Sequence, residues 1–313
     1  MRPTEVGRLL GSSLSAGSLR KPSRFACLLM RGDHIFKRMH TKPLSDLKWA
    51  YQLHYYLCFQ THRSQNIISN PDREAALSAA FAEICQRHEL HLVRLKINEN
   101  HVRLLLSLRP SETISKVVQT VKTNSARAFS SACDLNAPIW GRGYLAKSVG
   151  RVRTGEVKRY IEGQSEHHGY AKRVLPPVYR FRSDCPKALV AEHSVFELNH
   201  HLVFATKHRA GIFGASVGHE LCAYWIRVAQ KHGFAIDRCT FVPDHVHLLI
   251  RTMPNMSVEK CAFSLLNNGQ YFMVKHAPKL LVEAGIDQLW QDSAYVGTTG
   301  EFTTALMKSF LKE

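Results

Sequence analysis

The sequence predicts an α+β protein in which one βαββαβα unit is written twice. Three observations carry that expectation: short strand-like apolar runs alternate with segments of helical spacing, residues recur at a nearly constant offset, and a proline-containing stretch separates the two sets. Leu57-Cys58-Phe59-Gln60-Thr61 matches Leu202-Val203-Phe204-Ala205-Thr206 at an offset of 145, and His101-Val102-Arg103-Leu104-Leu105 matches His245-Val246-His247-Leu248-Leu249 at 144. Asn124 matches Asn268 at 144, while Trp140 and Gly150 match Trp290 and Gly300 at 150. The drift in offset is what insertions in surface loops produce.

Residues 1–44 are rich in Arg, Ser and Gly and lack periodicity, the composition of a disordered basic arm. A mitochondrial-type presequence has a similar composition, but no amphipathic helix is evident. Residues 51–59 read as a strand and 72–88 as a helix, with Ala76, Leu77, Ala80, Phe81 and Ile84 on one face. Segments 90–97 and 101–108 form a hairpin about Asn98-Glu99-Asn100, followed by a helix over 112–129 marked by Ile114, Val117, Val118 and Val121. A short strand at 144–148 and a helix at 155–164 complete the unit. The second copy has a strand at 196–204, a helix at 218–232, a hairpin of 234–242 with 245–251, and helices at 257–276 and 301–312. Between the copies, 173–186 contains Pro176, Pro177 and Pro186 and reads as a linker. The expected organisation is an arm at 1–44, a first domain at 45–170, a linker at 171–190 and a second domain at 191–313.

A hydrophobic content of 45% over 313 residues is enough for a globular core. The 42 Lys and Arg against 25 Asp and Glu give +17, which favours a polyanionic partner. No apolar run approaches bilayer length, so nucleic acid is expected ahead of a membrane, in a cytoplasmic, nucleoid-associated protein. The eight cysteines (Cys27, Cys58, Cys85, Cys133, Cys185, Cys222, Cys239, Cys261) are scattered singly and read as reduced residues, neither a zinc site nor a disulfide framework.

In Phe241-Val242-Pro243-Asp244-His245-Val246-His247-Leu248-Leu249-Ile250, Pro243-Asp244 is turn chemistry between two apolar runs. Along the following strand His245 and His247 share one face while Val246 and Leu248 point into a core. Two imidazoles on one face suit a divalent metal. Taken alone, the pair also fits two half-buried histidines on an ordinary strand.

Three motifs in order resemble the single-tyrosine HUH transposases, the TnpA type of small bacterial insertion sequences and their REP-associated relatives. They are Asp244-His245-Val246-His247-Leu248-Leu249, the Trp140 to Gly150 segment, and Lys158-Arg159-Tyr160-Ile161-Glu162-Gly163-Gln164. The likeness spans roughly 49–166 and again 194–313. It implies two tandem ferredoxin-like or RRM-like domains, antiparallel sheets with helices on one face, arranged as a pseudo-dimer. It also implies a transposase that nicks and rejoins single-stranded DNA through a 5′-phosphotyrosine, with Tyr160 as nucleophile, His245, His247 and Gln164 as metal ligands, and Mg2+ or Mn2+ as cofactor. Tyr160 and Gln164 are four apart, so a helix places both on one side.

Neither copy holds every motif. The first has Tyr160 and Gln164 but reads His101-Val102-Arg103, and a guanidinium has no lone pair for a metal. The second has both histidines, but the offset of 150 places Phe310 where Tyr160 stands, and the match to Gln164 falls beyond Glu313. Family members of the TnpA type dimerise, and in some states the tyrosine helix of one subunit docks on the histidine pair of the other. A fused dimer would then hold one composite site (His245, His247, Tyr160, Gln164) and one degenerate site (His101, Arg103, Phe310). The alternative is a catalytically inactive, domesticated protein that binds DNA hairpins or regulates. Expected partners are single-stranded, hairpin-bearing element ends, bound by a monomeric pseudo-dimer or a dimer of fused chains. Candidate phosphate contacts are Arg103, Arg151, Arg153, Lys158, Arg159, Lys207 and Arg209, with His62-Arg63, His208, Lys172-Arg173, Arg180 and Arg182 as further basic residues. Arg103 differs from the rest because a fixed cation in place of a metal ligand can hold a phosphate without cutting it.

Overall fold

A computed structural model describes residues 43–150, 153–162, 176–184 and 188–301. In chain order the described elements of the first copy are β1 (Lys48–Gln52), β2 (His54–Gln60), α1 (Pro71–Arg87), β3 (His91–Asn98), β4 (His101–Ser107), α2 (Ile114–Cys133), β5 (Tyr144–Val149) and α3 (Thr154–Glu162). After them come β6 (Tyr179–Arg182), β7 (Ser194–Glu197), β8 (Asn199–Thr206), α4 (Ala215–His232), β9 (Ala235–Val242), β10 (His245–Arg251), α5 (Val258–His276), α6 (Pro278–Glu283) and β11 (Trp290–Thr299). The fold is mixed α+β.

Local chemistry accounts for the helices. Asn70 caps α1 by accepting from the Asp72 amide, Pro71 opens its first turn, and Leu77, Phe81 and Ile84 face the core. Thr113 and Ser257 cap α2 and α5 in the same way, at matching positions of the repeat. The helix α4 stops at Gly233, whose φ of 79° closes the last turn in the left-handed region.

The two sheets run β3-β4-β2-β5-β7 and β1-β11-β8-β10-β9-β6. Within each, four strands of one copy occupy the same order, β3-β4-β2-β5 and β9-β10-β8-β11, all antiparallel. The additional strands cross between copies: β1 pairs in parallel with β11, and β7 pairs in parallel with β5. This corrects the expectation of single strands over 51–59 and 196–204. Each is divided at a buried leucine, Leu53 or Leu198, where the chain passes from one sheet to the other. The carbonyls of those leucines accept from Leu108 and Thr252, again matching positions. Alternating apolarity reveals a buried strand but cannot reveal which sheet pairs with it.

Further corrections concern the edges. The stretch 173–186, expected as a linker, contains β6, which extends the second sheet by pairing with β9 and carries Arg180 and Arg182. The strand β11 was implied by the repeat but not located, and the helix α6 was not anticipated, while the helix expected at 301–312 lies outside the described residues but for Glu301. The arm at 1–44 lies almost wholly outside them. Nor do helices keep to one face, since α3 packs on the side of the second sheet opposite α4 and α5. Val157 and Ile161 of α3 form a small cluster with Leu249, whereas Val246, Leu248 and Ile250 join the main core with α4 and α5.

Matching residues of the two copies meet where the sheets approach. Tyr55 Oη lies 2.8 Å from His200 Nε2, and Gly150 N donates to the Gly300 carbonyl at 3.0 Å. Ser148 Oγ donates to the Thr299 carbonyl and Thr298 Oγ1 to the Val149 carbonyl. Burial pushes the His200 imidazole down to about 3 and raises the Tyr55 hydroxyl, so both are neutral at pH 7. Among the described residues no helix is long and apolar enough to cross a membrane. The six described cysteines are free thiols, as expected; Cys27 and Cys185 lie outside the described residues.

Candidate active site

The strands β9 and β10 are joined by the two-residue turn Pro243-Asp244, and that turn is anchored from outside. Thr206 donates to the Asp244 carbonyl through both N and Oγ1 at 2.9 Å, and Phe213 N donates to the Pro243 carbonyl at 3.0 Å. The anchoring fixes the start of β10, and strand alternation then puts His245, His247 and Leu249 on the face away from the main core. The two imidazole centroids are 4.9 Å apart.

Each histidine is held at Nδ1. The Asp244 carboxylate lies 2.6 Å from His245 Nδ1, and its other oxygen takes the Arg209 guanidinium at 2.8 Å. Burial alone would raise that carboxyl, but the hydrogen bond and charge of His245, together with Arg209, hold it below the usual carboxylate range. His247 Nδ1 lies 3.1 Å from Nε2 of His201, whose ring stacks on it at a centroid distance of 5.4 Å. Burial pushes His201 down to about 4, so it is neutral at pH 7 and a single proton is shared between its Nε2 and Nδ1 of His247. A carboxylate can only accept from His245 Nδ1, which leaves Nε2 of that ring as the nitrogen able to offer a metal a lone pair, the arrangement that partners of metal-binding histidines impose. The donor set fits a divalent ion through two imidazoles. Among the described residues no third His, Cys, Asp or Glu joins them.

His201 was missed in the sequence, although a signal existed. A polar His200-His201 pair interrupts the apolar run of β8, and the β8–β10 register puts His201 opposite Leu249, on the face that carries His247.

Against this face lies α3, from the first copy. Thr240, directly opposite His247 in the β9–β10 register, donates through Oγ1 to the Ile161 carbonyl at 2.9 Å. Lys158 Nζ pairs with the buried Asp237 at 2.8 Å, and Val157 and Ile161 are covered by Leu249. Burying two such aliphatic side chains is worth roughly 1.5–3 kcal/mol each. Tyr160 precedes Ile161 in α3 and belongs to the helix; its side chain lies outside the described residues, as do Gln164, Arg151, Lys172, Arg173 and Phe310.

Several expected phosphate contacts already carry ion pairs: Arg153 with Glu301, Lys158 with Asp237, Lys207 with Asp287 and Arg209 with Asp244. Arg159 is exposed on α3. His62-Arg63 and Lys207-His208-Arg209 occupy equivalent 3₁₀ turns after β2 and β8, with Arg63, Ser64, His208 and Arg209 at positive φ. In the first copy His101 and Arg103 bond each other.

The family model of IS200-like transposases matches residues 49–164 and again 194–313, well over half of the chain. The protein belongs to the IS200-like transposase family. The double match agrees with the tandem duplication read from the offsets. Among relatives, the ISDra2 transposase TnpA of Deinococcus radiodurans is 25% identical over 118 residues, covering 38% of this chain and 84% of its own. A solved transposase structure from Deinococcus radiodurans R1 is 26% identical, with a TM-score of 0.31, covering 37% of this chain and 92% of that one. A REP-associated tyrosine transposase bound to a REP hairpin is 12% identical with a TM-score of 0.27, covering 38% of this chain and 72% of that one.

Proposed function

We propose that this IS200-like transposase cuts and rejoins single-stranded DNA at one composite site, built from the histidine pair of the second copy and the Tyr160 helix of the first. The observation that carries the reading is the packing of α3 across β9 and β10, with the Ile161 carbonyl bonded to Thr240 opposite His247. A helix from one copy thus lies on the histidine face of the other, next to the residue expected as nucleophile.

In this reading His245 and His247 hold Mg2+ or Mn2+, with Gln164 as a further ligand. When bound, the ion polarises the scissile phosphate. Asp244 and His201 fix the two rings, so little reorganisation accompanies binding. The Tyr160 oxygen attacks phosphorus, the bond to the 3′ oxygen breaks, and the phenolic proton ends on that leaving oxygen. The product is a 5′-phosphotyrosine with a free 3′-hydroxyl, and attack by a 3′-hydroxyl reverses it without a nucleotide cofactor. The DNA is expected to be hairpin-bearing, as it is for the REP-associated relative.

The test uses the purified chain, Mn2+ and a single-stranded oligonucleotide carrying the element end. Wild type should form a covalent adduct on the 5′ side of the nick, and Tyr160→Phe should lose it with binding little changed. His247→Ala should lose cleavage, while His101→Ala should retain it. An adduct formed by Tyr160→Phe would overturn the assignment; binding without any adduct would favour the inactive, regulatory reading.

A further inference from the structure

The two histidine strands differ in a concerted way. At the offset of 144, His101 matches His245, but Asn100 replaces Asp244, Arg103 replaces His247 and Lys96 replaces Thr240. At these three positions one carboxylate is lost and two cations are gained beside a histidine that is kept.

We propose that the first-copy strand is a metal-free phosphate clamp, in which His101 holds Arg103, beside Lys96, for a phosphodiester of bound single-stranded DNA. The inference rests on the reading that this chain binds such DNA. Asn100 Oδ1 accepts from His101 Nδ1 at 2.9 Å, as Asp244 does from His245. His101 Nε2 then faces the Arg103 guanidinium, with Nε at 3.1 Å and Nη2 at 2.9 Å. Its lone pair is engaged, so the position that ligates in the second copy is closed to a metal here. Burial, then the charges of Arg103 and Lys96, push His101 down to about 4, which keeps it neutral and accepting.

Two of the five guanidinium N–H groups meet His101, which leaves three for an anion in a fork of fixed orientation. Lys96 is directly opposite Arg103 in the β3–β4 register, on an exposed edge strand. Like charges across a ladder are destabilising. A bound phosphate between them reverses that repulsion. The clamp would hold one stretch of the strand while the second copy performs the chemistry on another.

The test has two readouts on the full chain, neither of which is cleavage. Binding of a fluorescently labelled mixed-sequence single-stranded oligonucleotide is measured against salt in the Tyr160→Phe background, where no adduct accumulates. Arg103→Gln should weaken binding by roughly tenfold and flatten the log–log salt slope by about 0.7, the counterion equivalent of one phosphate. Lys96→Gln, on an exposed side chain that the fold does not need, should weaken binding in the same direction. Mn2+ titration followed by electron paramagnetic resonance should count one ion per chain, lost in His247→Ala and kept in His101→Ala. Unchanged affinity and slope in both Arg103→Gln and Lys96→Gln, or a second ion that His101→Ala removes, would overturn the clamp. Failure of adduct formation with the clamp effects intact would instead count against the proposed cleavage alone.

Discussion

His200 is a fully buried imidazole bonded to Tyr55, the residue that matches it in the other copy, and its protonation is linked to stability. Its folded pKa lies at about 3 against an ordinary 6.5, so the folded state resists a proton that the unfolded chain accepts. The contribution is complete above pH 6.5 and is lost as pH falls from there towards 3. At about 1.4 kcal/mol per pH unit, the loss at pH 5 is roughly 2 kcal/mol. Thermal melts at pH 7.5 and 5 should therefore show a larger drop for wild type than for His200→Gln, which keeps an acceptor for Tyr55 Oη but does not titrate. Parallel curves would remove this role.

At the scale of elements, the meeting of β5 with β11 explains the glycines at the ends of the two Trp-to-Gly segments. A Cβ on Gly150 would lie 2.2 Å from the Thr298 carbonyl oxygen, and one on Gly300, at φ 127°, would lie 2.7 Å from that of Ser148. Both obstacles are backbone, so neither can swing aside. Gly150→Ala should destabilise by about 1–3 kcal/mol or more, read by chemical denaturation. Gly155, in the first turn of α3, meets nothing within 4 Å, and Gly155→Ala should be neutral or stabilising by up to about 1 kcal/mol. Equal losses at the two positions would contradict the close approach of the strands.

For the whole molecule, the sequence suggested two domains joined by a linker and therefore separable halves. The strand exchange argues otherwise. A fragment ending after β6 carries β1 and β6 away from β11 and β9, and the remaining fragment carries β7 away from β5. Each would expose unpaired edges, which favour aggregation. Separately expressed halves should be poorly soluble, whereas co-expression should yield a one-to-one complex that binds single-stranded DNA. A soluble, cooperatively melting first fragment would show the exchange to be dispensable.

The alternation of burial along each strand and the period of each helix were legible because they are local, set by which side of an element leaves water. The repeat was legible for the same reason, since matching offsets preserve matching patterns, and the two-residue spacing of His245 and His247 fixed their shared face. Local pattern does not name the partner. The residues of β1 and β7 read as continuations of β2 and β8, and only the tertiary structure assigned them to the opposite sheet, because a strand edge can pair with any strand of suitable register. The helix α3 was likewise expected from the sequence, but the packing of its Val157 and Ile161 on Leu249 and Thr240 was decided by the tertiary structure. His201 and the Arg103–His101 pair belong to that second category. His201 meets His247 across two strands, at a distance that sequence separation does not encode, whereas His101 and Arg103 share a face of one strand and only the rotamers that bring the guanidinium onto Nε2 needed the structure.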